Sequence, residues 1–140
     1  MEPKEMDGVG KLQEGSLPYE KRKVKSFKDL IVWEKSYALT LDIYKTTKQF
    51  PKDEQYHLTD QLRRAASSIP INIAEGMGRQ TRKEFIRYLI VARGSCEELK
   101  CLLLLAKDLN YINEELYRKL NPSMQEIGKM LNGLIRAIRG

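Results

Sequence analysis

Apolar residues recur along this chain with a helical period in four successive stretches, separated by proline, glycine and asparagine. From Ser26 onward, Leu30, Trp33, Tyr37, Leu41 and Tyr44 fall three or four positions apart, and Ser26 with Asp29 has the spacing of a capping box. Helix one is predicted from Ser26 to about Gln49. Phe50-Pro51 stops it, because proline disfavours the helical conformation of the residue before it. Helix two is predicted to begin near Asp53 and to turn Leu58, Leu62, Ala65, Ile69 and Ile73 inward. Pro70 lies within it, where the ring removes a hydrogen bond and clashes with a carbonyl, costing roughly 3 kcal/mol without compensation. A kink at Pro70 is therefore predicted, with Ser67 or Ser68 serving the freed backbone group. Gly76 and Gly78 are expected to close the helix in the left-handed conformation.

The remaining half has clearer punctuation. Thr81 and Glu84 form a capping box for helix three, whose inward residues are Phe85, Leu89, Ala92, Cys96, Leu99, Leu103 and Ala106. That helix is predicted from Thr81 to Asp108, with Asn110 ending it in the left-handed conformation. Asn113 caps helix four, which presents Leu116, Leu120, Met124, Ile127, Leu131, Leu134 and Ile138, with a bend expected at Pro122. Four amphipathic helices on short loops share one low-energy arrangement, so the fold class is all-α, an antiparallel up-down-up-down four-helix bundle over residues 26–140. Residues 1–25, with Pro3, Gly8, Gly10, Gly15 and Pro18 and no sustained apolar period, are expected to be a disordered tail. Its cations, Lys21, Arg22, Lys23 and Lys25, are read as a solvated run.

Composition narrows the function classes. A chain of 140 residues holds one domain, and its longest purely apolar run, Cys101 to Ala106, is far short of the roughly 20 residues of a membrane span. The expected setting is cytoplasmic, with no membrane partner. Cys96 and Cys101 point about 140° apart on one helix and cannot pair with each other, so both are expected as thiols, Cys96 in the core. Cys101, Leu102, Leu103, Leu104 and Leu105 give helix three more apolar surface than one stripe needs, which suits either a subunit interface or a greasy central helix.

Candidate chemistry is sparse. His57 is the single histidine and forms Glu54-x-x-His57, the spacing of di-iron bundles, but such a site needs a second histidine. Glu97-Glu98 and Glu114-Glu115 point to different helix faces, no serine has a histidine in motif context, and Gly76-Met77-Gly78 follows a helix instead of opening one. The expectation is a non-enzyme with no metal, cofactor or small-molecule substrate. The net charge is +6, and the more informative cluster is basic: Arg63, Arg64, Arg79, Arg82, Lys83 and Arg87. Cations in a helix's first turn oppose its macrodipole by about 0.3–1 kcal/mol each, and Lys83 with Arg87 is a like-charged i,i+4 pair. A phosphate of RNA or DNA held there would reverse the sign. A solvated face, or arginines paired to Glu75 and Glu84 within a subunit contact, is the other reading. Tyr88 beside them is read as packing, with base stacking as the alternative.

The run Gln61-Leu62-Arg63-Arg64-Ala65-Ala66-Ser67-Ser68-Ile69-Pro70-Ile71-Asn72-Ile73-Ala74-Glu75-Gly76 resembles the four-helix-bundle family first described from proteins encoded in intervening sequences of bacterial 23S rRNA genes. Phe27-Lys28-Asp29-Leu30-Ile31-Val32-Trp33, Glu84-Phe85 with Ala92-Arg93-Gly94-Ser95, and Met130-Leu131-Asn132-Gly133-Leu134-Ile135 are similar to its first, third and fourth helices. The resemblance spans Ser26 to Arg139. It implies a bundle assembling as a ring-like homo-oligomer, a pentamer, without enzymatic activity. A related group serves as accessory factors to reverse transcriptases of diversity-generating elements, binding RNA and polymerase through a basic surface, which by analogy favours nucleic acid here. The family's Asn-Ile-Ala-Glu-Gly motif matches Asn72 to Gly76 and has no catalytic role. A buried Asn72 and Glu75 beside Pro70 are expected to satisfy freed backbone groups and an arginine such as Arg63 or Arg93. Pro122 departs from the family's uninterrupted fourth helix. Two functions follow: an oligomeric scaffold whose basic residues contact RNA phosphates, or a protein-interaction module whose basic band is buried between subunits.

Overall fold

A computed structural model describes residues 24–54 and 57–140. Among them are four α-helices and no strand: α1 Ile31–Thr47, α2 Leu58–Met77, α3 Arg82–Asp108 and α4 Glu114–Arg139. Single turns of 3-10 helix at Phe27–Asp29 and Lys52–Glu54 precede α1 and α2. Most of the expected tail lies outside the described residues. Its last two residues are held, since Val24 packs against the core and the Lys25 N–H donates to Asp29 Oδ2 at 2.8 Å.

Local chemistry explains most boundaries. Ser26 and Asp29 do form a capping box, but the turn they cap is the 3-10 turn, and extended Leu30 intervenes before α1 begins. Thr81 Oγ1 accepts the Glu84 N–H at 3.1 Å and Asn113 Oδ1 accepts the Leu116 N–H at 2.8 Å, fixing the starts of α3 and α4. Asn110 takes φ 65°, which turns the chain out of α3 as expected. Gly78 does not behave that way: it caps α2 at φ −78°, and neither it nor Gly76 is left-handed. Gly76 is required for a different reason. A Cβ there would lie 2.7 Å from Tyr88 Cβ and 2.9 Å from Phe85 Cδ1, so α2 and α3 approach too closely for any side chain.

The core is continuous across the four helices, with Ile43, Leu62, Ile69, Ile73, Phe85, Leu89, Leu99, Leu103, Met124, Ile127 and Leu131 fully enclosed. Every inward residue expected on α2 and α3 is buried, and on α4 only Leu116 is half-exposed. Of the five residues expected inward on helix one, Leu30 is buried, but within α1 itself the expected face is wrong. Tyr37, Leu41 and Tyr44 are exposed, Trp33 is half-buried, and the inward side is Val32, Ser36, Leu39, Thr40, Ile43 and Thr47. Three hydroxyls sit among those inward residues because each donates back along its own helix: Ser36 to Trp33 O at 3.0 Å, Thr40 to Ser36 O at 2.8 Å and Thr47 to Ile43 O at 2.8 Å.

α2 continues through Pro70, and the carbonyl its ring leaves without an N–H is Ala66 O. Neither Ser67 nor Ser68 serves it. Thr40 Oγ1 donates to it from α1 at 3.0 Å, sharing one proton with Ser36 O. Ser68 is engaged elsewhere, by Asn72 Nδ2 at 2.9 Å and by the Ser95 hydroxyl of α3 at 2.8 Å. Further contacts between helices give the register: Thr47 with Arg63, Gly76 with Phe85, Arg93 with Asn132, and Lys35 with Glu126. No helix among the described residues is long and apolar enough to cross a membrane.

Candidate nucleic-acid interface

The six basic residues do not form one patch. Arg63 and Arg64 lie in the second turn of α2, while Arg79, Arg82, Lys83 and Arg87 lie beyond its other end. The 16 positions from Arg63 to Arg79 correspond to about 24 Å along a helix.

Within the first pair the arginines have separate tasks. Arg63 bridges to α1, its Nε donating to Thr47 Oγ1 at 2.8 Å and its Nη2 to Tyr44 O at 3.4 Å, with Cζ 4.8 Å from the Tyr44 ring centre. Arg64 is exposed and pairs with Asp60 one turn back at 2.9 Å, a surface bond of the kind worth about 0–1 kcal/mol.

The second group surrounds the α2–α3 turn. Arg79 places its guanidinium carbon 4.9 Å from the Tyr88 ring centre and also donates to the Tyr88 hydroxyl. Tyr88 is thus half-buried packing, its Cβ against Gly76 and its ring under Arg79. Arg82, Lys83 and Arg87 are exposed in the first two turns of α3, where the acidic neighbour within the turn is Glu84. This corner is the part of the expected basic surface that the fold does assemble.

The Asn72 to Gly76 motif is placed otherwise than expected. Glu75 is exposed, not buried, and Asn72 is half-buried, donating to Ser68 O at 2.7 Å and to Ser68 Oγ. Among the described residues neither partners an arginine: Arg63 reaches α1, and Arg93 Nη1 donates to Asn132 Oδ1 of α4 at 3.0 Å. Pro70 is buried, and Gly76 is the motif residue whose identity the packing dictates.

Sequence reasoning missed a groove of about 580 Å³ between α3 and α4, lined by Arg93, Glu97, Lys100 and Lys129 beside Gly94 and Gly128. The available signal was the pair of glycines inside helices, each opening space where a side chain would stand. Lys100 is tied to Glu97 at 2.7 Å. Among the described residues no three His, Cys, Asp or Glu side chains are grouped to hold a metal, and His57 is an exposed N-cap of α2. Cys96 is buried, its Sγ donating to Met124 O at 3.4 Å, and burial above all pushes its thiol pKa up. Cys101 is exposed.

Comparison with known proteins gives two concordant results. The crystal structure of a protein of unknown function from the S23 ribosomal protein family of Bacteroides thetaiotaomicron superposes with a TM-score of 0.68 at 30% identity, covering 75% of this chain and 98% of that one. No curated protein matches. The family model described as 23S rRNA-intervening sequence protein matches residues 28–133, and the chain accordingly belongs to that family.

Proposed function

We propose that this chain is a non-enzymatic, self-associating helical bundle that binds RNA, or an RNA–protein complex, through the basic α2–α3 corner. The observation that carries the reading is the exposure of Arg82, Lys83 and Arg87 at the positive end of α3, beside Arg79. Lys83 and Arg87 oppose the backbone dipole and each other there, an unfavourable arrangement that an anion offsets, and a polyphosphate chain supplies anions at regular spacing. The reading keeps an up-down-up-down antiparallel order, supported by the register of side-chain contacts, and a bend at Pro70, supported by its lost backbone bond. It places the protein in the cytoplasm, as a homo-oligomer of the pentameric kind, and a reverse transcriptase bound to its RNA is one partner that would fit the same corner.

Filter binding of ribosomal RNA fragments at two ionic strengths tests it. Affinity should fall steeply with salt, and Arg82→Ala/Lys83→Ala/Arg87→Ala should reduce the log–log slope by about 2–3, one for each phosphate no longer neutralised. Absence of binding at low salt removes the proposal.

A second reading has its own support. Tyr37, Leu41 and Tyr44 on α1 and Leu104, Leu105 and Leu109 at the far end of α3 are exposed, which suits a scaffold built on protein contacts. In that reading the triple alanine variant loses assembly, measured by light scattering, instead of losing RNA affinity with its assembly intact.

A further inference from the structure

At the corner joining α1 to α2, a cavity of about 290 Å³ is walled in part by Thr47, Lys48, Lys52, Thr59 and Arg63. Among the described residues its lining holds three cations and no carboxylate. Of the acids close by in the chain, Asp60 pairs with Arg64 at 2.9 Å and Glu54 accepts the Tyr111 hydroxyl at 2.7 Å, while Asp53, next to Lys52, is exposed outside the lining. A volume of about 290 Å³ is at the lower edge of the ~300–1,000 Å³ of ligand pockets, which suits a charged group better than a large apolar molecule.

Two features of the cavity are incomplete in the free chain. Thr59, the second residue of α2, is 5% exposed, and its buried hydroxyl has no hydrogen-bond partner. Beside it, His57 provides no side-chain cap for α2, so the first-turn N–H groups keep their partial positive charge. Arg63 is already positioned by Thr47 Oγ1 and Tyr44 O, and those bonds use two of its five N–H donors. One acceptor with several oxygens and negative charge would match the remaining Arg63 donors, the Thr59 O–H and the two exposed lysines together.

We propose that this cavity binds a phosphate group, either a phosphate of RNA or that of a small phosphorylated compound. The site lies about 24 Å along α2 from the α2–α3 corner, so it stands whether or not that corner binds RNA.

The test uses the full chain labelled with nitrogen-15. Titration with inorganic phosphate should shift the amides of Leu58, Thr59 and Asp60 saturably, whereas chloride at matched ionic strength should not. Lys48→Ala/Lys52→Ala should weaken binding about tenfold, and Thr59→Val severalfold, while Thr59→Val leaves the unliganded protein as stable or more stable, because the orphaned hydroxyl is gone. Arg82→Ala/Lys83→Ala/Arg87→Ala should leave the phosphate response unchanged. Competition by an oligoribonucleotide with a 5′-phosphate but not with a 5′-hydroxyl identifies a terminal phosphate; equal competition identifies the backbone; competition by neither assigns the site to small phosphorylated compounds. Shifts that chloride reproduces, or a phosphate response that survives both cavity variants, overturn the proposal.

Discussion

The hydroxyl of Thr40 is the donor for the carbonyl that Pro70 strands, and this makes a measurable coupling between two helices. Thr40→Val keeps the side chain's shape and removes the hydrogen bond to Ala66 O, observed at 3.0 Å between residues that are 8% and 1% exposed. Ser36 O suffers less, because it retains the backbone N–H of residue 40 in the ordinary helical bond. An enclosed carbonyl without a donor is worth about 1–3 kcal/mol, and the added methyl returns part of it, so a net loss of about 1–2 kcal/mol is expected. Pro70→Ala restores an N–H aimed at the same carbonyl. In that background Thr40→Val should cost at most about 0.5 kcal/mol, an interaction energy near 1 kcal/mol. Urea denaturation of the four proteins at one fixed protein concentration, with m-values compared, measures the cycle free of mass-action effects. Additivity of the two substitutions to within about 0.3 kcal/mol would refute the assignment of Thr40 as the compensating donor.

Three further predictions follow from single positions. Gly76→Ala should destabilise by about 1–2 kcal/mol, overpacking against Tyr88 and Phe85 exceeding the gain in helix propensity, whereas Gly94→Ala, whose Cβ meets nothing within 4 Å, should stabilise by about 0.5–1 kcal/mol; thermal melts giving both the same sign would contradict the packing. Asn110 at φ 65° should accept glycine with unchanged or higher stability and lose about 1 kcal/mol as alanine, read by chemical denaturation. The burial that holds the Cys96 thiol above its ordinary 9.0 contributes stability that is fully present below that pH and declines as pH rises past it, so Cys96→Val should flatten the alkaline limb of the stability curve; a thiol reagent should meanwhile modify Cys101 at once and Cys96 only on unfolding.

The helical segments were legible because their apolar spacing and caps agree. Thr81, Asn110 and Asn113 each do locally what their residue type suggests, and α2 and α3 bury every residue their period selects. α1 was misread because its polarity is inverted: Ser36, Thr40 and Thr47 bury their hydroxyls by bonding carbonyls three or four residues back, leaving Tyr37, Leu41 and Tyr44 outside. No count of apolar residues distinguishes that arrangement from its mirror phase. The roles of Gly76 and of Ala66 O depend on a neighbouring helix, Tyr88 and Phe85 for one and Thr40 for the other, and such dependence has no local signature. The basic group was recognisable residue by residue, but its division between two ends of α2 follows from helix length, which places Arg63 and Arg79 far apart.

The outward stripe on α1 also gives the molecule a built-in optical reporter. The chain's one tryptophan, Trp33, stacks on Tyr37 at 4.8 Å between ring centres and meets Phe27 edge-on at 5.0 Å. Half-buried against the core and stacked on an exposed tyrosine, it senses the α1 exterior as well as the interior. A partner or second copy settling on that side should change the fluorescence while circular dichroism stays constant.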